Sequence, residues 1–197
     1  MSLIGLLLQL FQLFLFILMM RFALHLARAD FYNPLVQGII KATDWLVAPL
    51  QKVIRPGRHI DPATFIAGVA FAAITSALIS TLAIGTTPLS LQSVTALIGA
   101  GVLGAAYTLL RMYMLAIFGR VIMSWIMPQP THPAPLLILQ ITRPLMAPLQ
   151  RFIPPIGGMI DISPLVVIIG ITLLQNLVIQ LANHIITTHT LIIVGLQ

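Results

Sequence analysis

The sequence predicts an all-α integral membrane protein with four transmembrane helices arranged as two parallel repeats. The first observation is composition: apolar residues make up 59% of the chain and charged residues 7%, whereas soluble domains carry roughly 25% charged residues. The second is an internal repeat. The third is that each repeat holds two long apolar runs separated by an amphipathic, proline-containing stretch, which predicts a helical hairpin on the membrane surface between two spans.

The internal repeat is visible when residues 21–56 are aligned without gaps to residues 120–155. The alignment contains eleven identities, four of them in one Ala-Pro-Leu-Gln block. A one-residue shift then aligns Ile60-Asp61 with Ile160-Asp161. Agreement of this kind indicates a duplication. The identical pairs outside the block are Arg21/Arg120, Pro34/Pro133, Ile39/Ile138, Thr43/Thr142, Leu46/Leu145, Ile54/Ile153 and Pro56/Pro155.

Repeat one is assigned to residues 1–92 and opens with an uncharged apolar run at residues 1–20. A run of this length crosses about 30 Å of hydrocarbon as a helix, so the first span is predicted at about residues 3–28. Ala27-Arg28-Ala29 has the form of a signal-peptide cleavage site, but no basic region precedes the apolar run. We therefore expect the run to remain as a span.

The surface hairpin of repeat one is predicted at residues 33–60. Asn33 as N-cap and Pro34 at the first helical position begin an amphipathic helix. Pro49 is expected to interrupt it. Asp61 then caps the second span, predicted at residues 62–84.

Repeat two is assigned to residues 93–197 and follows the same plan. A span at about residues 97–126 precedes a surface hairpin at 132–160, and Ser163 is predicted to cap the last span, at 164–186. The stretch from Arg143 to Pro164 is too rich in proline and glycine to form one helix. It is either a docking surface for a partner or a device that returns the chain to the membrane. Its prolines and glycines include Pro148, Pro154, Pro155, Gly157 and Gly158.

Small residues recur every four positions in the second span, and the third span holds a similar set. This spacing lets helices approach closely in lipid, so we expect the second span to pack tightly against the third. A small-molecule passage between these faces is the alternative. The residues are Gly68, Ala72, Ser76 and Ser80 in the second span, and Ala100, Gly101, Gly104, Ala105 and Thr108 in the third.

Basic residues predict the orientation. Six Lys/Arg lie between the first two spans and three between the last two, and the loop at residues 85–93 has none. By the positive-inside rule both hairpins face the cytoplasm and both termini face outward. Several of these side chains are expected to lie near anionic headgroups. They are Lys41, Lys52, Arg55, Arg58, Arg143 and Arg151.

Polar side chains inside the spans form a candidate intramembrane site. Arg111 lies within the third span, where an arginine must be paired, hydrated or able to reach the surface. Asn176, Gln180 and His184 form a stripe on the fourth span, with Gln9 and Gln12 of the first span as its expected neighbours. Asp61 and Asp161 are expected to cap their spans and meet Arg58 or Arg151. Cation or proton binding is the alternative for both aspartates.

Several function classes are excluded or disfavoured. The chain has no cysteine, which excludes disulfides and thiolate metal sites, and no basic run provides a track for nucleic acid. No catalytic motif is present, so we predict a protein that is not an enzyme and has no metal site or cofactor. The five histidines form no i, i+4 pair, which disfavours permanently bound haem.

The segments ARADFYNPLVQGIIKAT, APLQKVIRP and RPLMAPLQRFIPPIGGMIDISP resemble the YggT/YlmG family of small bacterial and plastid membrane proteins. The resemblance covers nearly the whole chain, including the duplication. It implies no established catalytic activity. Bacterial members are linked with tolerance of osmotic stress and with genes of division and envelope maintenance. A plastid relative is similar to factors that help attach haem to a b-type cytochrome.

Three functional hypotheses follow. The first is a non-catalytic inner-membrane protein that acts in membrane-protein assembly or in envelope and osmotic stress tolerance through its cytoplasmic hairpins. Its partners would be anionic lipid and either another membrane protein or further copies of itself. The second is a small channel or transporter for potassium or another osmolyte, in which Arg111 and the α-helical stripe at Asn176, Gln180 and His184 converge on a hydrated cavity. The third is haem or cytochrome maturation.

Overall fold

The fold is all-helical across the residues that the structure, a computed structural model, describes. These are residues 3–58, 60–85, 91–127, 131–152, 161–189 and 191–196. Their six helices are α1 (Leu3–Leu26), α2 (Pro34–Val53), α3 (Pro62–Ile84), α4 (Leu91–Ile126), α5 (Pro133–Phe152) and α6 (Ser163–His189). Four of them, α1, α3, α4 and α6, are long and apolar enough to cross a membrane, which confirms the predicted fold class. The boundary between repeats remains a prediction.

The helix starts follow the predicted cap chemistry in repeat one. Asn33 accepts a hydrogen bond from the backbone N–H of Leu35 at 2.9 Å, with Pro34 as the first residue of α2. Asp61 caps α3 by accepting from the N–H of Thr64. These polar side chains satisfy backbone donors that a helix start leaves without a partner.

The start of α6 differs from the prediction that Ser163 is its cap. Ser163 is the first residue of the helix, and the carboxylate of Asp161 accepts the Ser163 N–H at 2.9 Å. The Ser163 hydroxyl is buried and has no hydrogen-bond partner among the described residues. Asp161, which is also among the predicted caps, takes the role because its carboxylate reaches two residues along the chain, as Asx turns do.

Neither surface helix breaks at its prolines. The expectation that Pro49 interrupts the first hairpin is wrong, because α2 continues through Pro49 to Val53, and α5 likewise contains Pro144 and Pro148. A proline removes one backbone donor and leaves the carbonyl four residues earlier without it. At a membrane surface water replaces that donor. The neighbouring Trp45 is 65% exposed, which fits a solvated side of α2.

Both surface helices lie at the same end of the bundle, which we call the α2/α5 end. The Asn33 side chain donates to the backbone oxygen of Pro133 at 2.9 Å, and the Asp30 N–H donates to the Gln140 side chain at 3.2 Å. These bonds join the connection before α2 to the start of α5. The two repeats therefore run in the same direction, as predicted.

The second span packs closely against the third, as the small residues predict. A Cβ atom added to Gly101 of α4 would lie 2.5 Å from the Val69 carbonyl oxygen and 2.9 Å from the Ala73 Cβ of α3. Only glycine at position 101 permits this approach of the two backbones.

The chain's last described segment, residues 191–196, packs against the small faces of α3 and α4. Ser76 and Ser80 of α3 accept the backbone N–H groups of Val194 and Ile192, at 2.9 and 2.8 Å. Val194 is fully buried. Part of the small-residue stripe of α3 therefore contacts this segment rather than a helix, which the sequence did not predict.

A bulky side chain at the α3–α4 contact is expected to destabilise the fold. Gly101→Leu should lower the free energy of unfolding by about 1–3 kcal/mol through overpacking, measured as a lower melting temperature in detergent. Gly170→Leu is the matched control, since nothing lies within 4 Å of a Cβ at that position. Equal melting temperatures for the two variants would contradict the close approach.

Candidate functional site

A buried arginine holds α2 against the first span. Arg21, near the end of α1, is only 8% exposed. Its guanidinium donates to the backbone oxygen of Ile40 at 3.2 Å and to Thr43 Oγ1 at 3.0 Å. It also donates to Asp44 Oδ1 at 3.0 Å and to Gln51 Oε1 at 3.4 Å. All four acceptors belong to α2, so this one charged group fixes the surface helix to the span.

Gln51 links Arg21 to the second span through hydrogen bonds of its side chain. Its side-chain amide donates to Asp61 Oδ2 at 2.7 Å, while its oxygen accepts from Arg21. Asp61 is 2% exposed and caps α3. The guanidinium, the amide and the carboxylate thus link α1, α2 and α3 in one chain of hydrogen bonds. We call Arg21, Thr43, Gln51 and Asp61 network one.

The second repeat contains the four matching residues, which we call network two: Arg120, Thr142, Gln150 and Asp161. Two bonds of network one recur there, whereas the bond from the arginine to the glutamine has no counterpart among the described residues. Arg120 of α4 donates to Thr142 Oγ1 of α5 at 3.1 Å, and the Gln150 amide donates to Asp161 Oδ2 at 2.7 Å. The arginine, threonine and glutamine of both networks are among the eleven identities of the repeat, and the aspartates align after the one-residue shift. The duplicated residues are therefore those that join each surface helix to its spans.

Hydrogen bonds hold the pKa of Asp161 below its ordinary value. Burial acts in the opposite direction and raises the pKa, but the hydrogen bonds from the Ser163 backbone N–H and the Gln150 amide, together with the positive charge of Arg120, outweigh it. The carboxylate is therefore the form that the site stabilises.

The two networks differ in charge at one position. Asp44 forms an ion pair with Arg21 at 3.0 Å, and the residue that aligns with Asp44 in repeat two is Arg143. Network one and its neighbour at position 44 thus contain one basic and two acidic side chains. Network two and its neighbour at position 143 contain two basic and one acidic side chain.

The expected ion pairs of Asp61 with Arg58 and of Asp161 with Arg151 are not what the structure shows. Each aspartate instead accepts from a glutamine, Gln51 or Gln150, and both Arg58 and Arg151 are exposed. A buried aspartate is satisfied by donors fixed on the adjacent helix, which a flexible surface arginine does not provide. The identity of Arg21, Thr43 and Gln51 between the repeats was the signal that could have revealed the network.

The basic residues predicted to face headgroups are all exposed, and so is Pro148. The other proline and glycine residues singled out in this stretch, Pro154, Pro155, Gly157 and Gly158, lie outside the described residues. The exposed basic side chains are Lys41, Lys52, Arg55, Arg58, Arg143 and Arg151.

The predicted intramembrane site separates into two places. Arg111 lines a cavity of about 270 Å³ with Gln9, Gln12 and Thr108, whereas the stripe on α6 lines no part of it. Asn176, Gln180 and His184 are exposed on the outside of α6. The expected convergence of Arg111 with the stripe is therefore wrong, and Gln9 and Gln12 face Arg111 instead. Helix α6 packs inward through Val167, Ile171 and Ala182, which turns the stripe outward.

The cavity at Arg111 lies between equivalent faces of α1 and α4. Six of its eight lining residues form pairs that the repeat spacing relates: Gln9 with Thr108, Gln12 with Arg111, and Phe16 with Leu115. The Nε2 atom of Gln12 is buried without a hydrogen-bond partner in the described ranges. A second cavity, of about 260 Å³, lies beside network one, where Arg21, His25, Gln51 and Asp61 contribute to its wall.

Within the described parts of the chain, no group of three or more His, Cys, Asp or Glu side chains could hold a metal ion. His25 is one of the histidines considered for haem, and its Nε2 lies 2.9 Å from the backbone oxygen of Gly57. That contact ties the end of α1 to the connection before α3.

A comparison with protein families identifies the chain. The family model described as CCB3/YggT matches residues 1–82 and 99–182. The chain belongs to the CCB3/YggT family. The two matched segments correspond to the two repeats, so each copy of the network lies within a match.

Curated relatives of this CCB3/YggT protein are named only as uncharacterized. A Pseudomonas aeruginosa protein is 33% identical over 170 residues, covering 86% of this chain and 84% of its own. A Vibrio alginolyticus protein encoded in the proC 3′ region is 35% identical over 162 residues, covering 82% and 85%. The Escherichia coli protein YggT is 27% identical over 158 residues, covering 80% and 79%. No solved structure matches the chain at a significant level.

Loss of the bridging glutamine is expected to destabilise repeat one. Gln51→Leu removes one hydrogen bond from Arg21 and one from Asp61, both of which are buried. The loss should lower the free energy of unfolding by about 1–3 kcal/mol. The measurement is thermal unfolding in detergent. Lys52→Met, a change at the neighbouring exposed residue, is the control and should have no measurable effect. Equal stability of Gln51→Leu and wild type would argue against the bridge.

The stability contribution of Asp161 should depend on pH. Because its folded-state pKa lies below the unfolded value of about 3.9, the contribution is present above that value and is lost as the pH falls through the folded pKa. Asp161→Asn should therefore lower the melting temperature more at pH 7 than at pH 3. A difference in melting temperature between wild type and Asp161→Asn that does not shrink at low pH would contradict stabilisation by the ionised carboxylate.

Proposed function

We propose that this protein is a non-catalytic factor of the bacterial inner membrane that holds a partner membrane protein during assembly or envelope stress. Membership of the CCB3/YggT family and the four membrane-spanning helices support a membrane role. The distribution of basic residues favours a cytoplasmic location for the α2/α5 end. The observation that carries the proposal is the polar outer face of α6.

The carboxamides of Asn176 and Gln180 lie on that face. Both are exposed, and neither is hydrogen-bonded to another described residue. Asn176 lies near the middle of the span Ser163–Ile186, at a depth where lipid offers no hydrogen-bonding group. An amide without a partner in an alkane-like medium costs roughly 4–8 kcal/mol. A polar side chain from another transmembrane helix removes much of that cost.

The chemistry of the face defines its partner. A carboxamide presents both a donor and an acceptor, so two amides at a four-residue spacing suit a helix with asparagine, glutamine, serine or threonine at matching positions. Each hydrogen bond of this kind contributes about 0.6–2 kcal/mol. Such energies suit reversible association with a client helix.

Removal of the amides should break the association. Asn176→Leu with Gln180→Leu is expected to abolish co-purification of the partner from membranes in mild detergent while the melting temperature is unchanged or raised. Gln37→Leu is the matched control, because it makes the same chemical change on an exposed site of α2. Retention of the partner by the double variant would contradict the proposal.

Site-specific crosslinking identifies the partner. Because the chain has no cysteine, Leu177→Cys introduces a single thiol on the same side of α6. A crosslink to a different membrane protein supports an assembly role. A crosslink only to a second copy of the chain, or no crosslink at all, contradicts it.

Transport remains a second candidate because of the cavity at Arg111. The cavity has polar walls within the spans, which is where a solute pathway needs them. Reconstituted protein should then carry potassium or another osmolyte across liposome membranes, and Arg111→Met should reduce the flux. Liposomes with no flux above empty controls would eliminate this candidate.

A further inference from the structure

The charge difference between the two networks indicates a ligand site in repeat two. Network one contains its own counter-ion, because Asp44 of α2 pairs with Arg21. Repeat two has no acidic side chain at the matching position, where Arg143 stands. Both networks keep the cap aspartate, Asp61 or Asp161, but at the position after the threonine repeat one has a carboxylate, Asp44, and repeat two has a guanidinium, Arg143.

The repeat alignment places Arg143 within reach of the Arg120 guanidinium. Thr142 accepts from Arg120 at 3.1 Å, and Arg143 follows it directly in α5. In repeat one Thr43 accepts from Arg21 at 3.0 Å, and Asp44, the next residue, reaches the same guanidinium. Position 143 therefore corresponds to position 44, from which the shorter aspartate side chain already reaches its arginine. Arginine is longer than aspartate, so Arg143 has the reach to face Arg120 across a shared anion.

Among the described residues, Arg120 has fewer hydrogen-bond acceptors than Arg21. Arg21 donates to four groups of α2, whereas the hydrogen bond of Arg120 within the described residues goes to Thr142. Arg120 is half-buried and Arg143 is exposed, so a ligand approaching from the membrane surface can reach both. An anion there replaces the carboxylate that Asp44 supplies in repeat one. Two planar guanidinium groups match the oxygens of a phosphate group.

The surroundings identify the source of the phosphate. At the same end, Trp125 of α4 is 86% exposed and Phe152 of α5 is 84% exposed. Exposed aromatic side chains at a span end and on an amphipathic helix are typical of the headgroup region of a bilayer. We propose that Arg120 and Arg143 together bind the phosphate group of an anionic phospholipid, and that repeat one has no such site because Asp44 occupies it.

Lipid binding to the purified full-length chain tests this proposal. The probes are short-chain phosphatidylglycerol, short-chain phosphatidylcholine and inorganic phosphate, added to protein in neutral detergent and measured as bound lipid by native mass spectrometry. Phosphatidylglycerol should bind at least about tenfold more tightly than phosphatidylcholine, because the choline cation of phosphatidylcholine opposes the two guanidinium groups that its phosphate would meet. Equal binding of the two lipids would overturn the proposal.

Charge exchange at position 143 provides the decisive variants. Arg143→Asp recreates the ion pair of repeat one and should lower phosphatidylglycerol affinity about tenfold or more, with Arg143→Gln as a neutral second variant. Arg151→Asp makes the same change in charge at another exposed residue of α5, one expected near headgroups in general, and should lower affinity clearly less than Arg143→Asp. Melting temperatures without lipid show that each variant is folded. A similar loss in Arg143→Asp and Arg151→Asp would show unspecific charge attraction and overturn the site.

Two further experiments test whether the phosphate belongs to a lipid and whether Asp44 prevents lipid binding in repeat one. Inorganic phosphate at millimolar concentration should not displace phosphatidylglycerol, and displacement would assign the site to free phosphate instead of lipid. Asp44→Arg should add a second bound phosphatidylglycerol. An unchanged number of bound lipids in folded Asp44→Arg would contradict the role given to Asp44.

Discussion

The structure depends on an arginine that lies at the end of a span and must be hydrogen-bonded there. A guanidinium in or near hydrocarbon is costly unless acceptors surround it, and the acceptors of Arg21 all come from the surface helix α2. Gln51, two residues before the end of α2, donates to Asp61, the cap of the next span. Surface helix and spans therefore form one unit, and the cost of burying the charge fixes their relative position.

The duplication preserved this unit and changed its charge. Arginine, threonine, glutamine and aspartate recur in both repeats with closely similar bonds, so each repeat keeps the same anchor. Position 44 carries an acid in the first copy, and the matching position 143 carries a base. A structural role accounts for what the copies share. The proposed lipid site accounts for where they differ.

The sequence predicts the spans well because length and apolar composition determine them almost alone. It predicts the caps of α2 and α3 because Asn33 and Asp61 precede prolines at helix starts. The networks were missed because the shared Ala-Pro-Leu-Gln block suggested a turn, while its glutamine is the bridging residue. Periodicity shows which residues share a face but does not show what that face contacts. The outward direction of the predicted stripe on α6 and the hydrogen bond between Ser76 and Val194 could therefore not be predicted.

The central claim, that each arginine anchors its own surface helix, is tested most directly by backbone hydrogen exchange in detergent. In Arg21→Met, the account predicts faster exchange in α2 with α5 unchanged, and in Arg120→Met the reverse. Loss of protection should stay within one repeat because each arginine bonds only to the surface helix of its own repeat among the described residues. Exchange that is unchanged in both variants, or that rises equally in α2 and α5, would contradict the account.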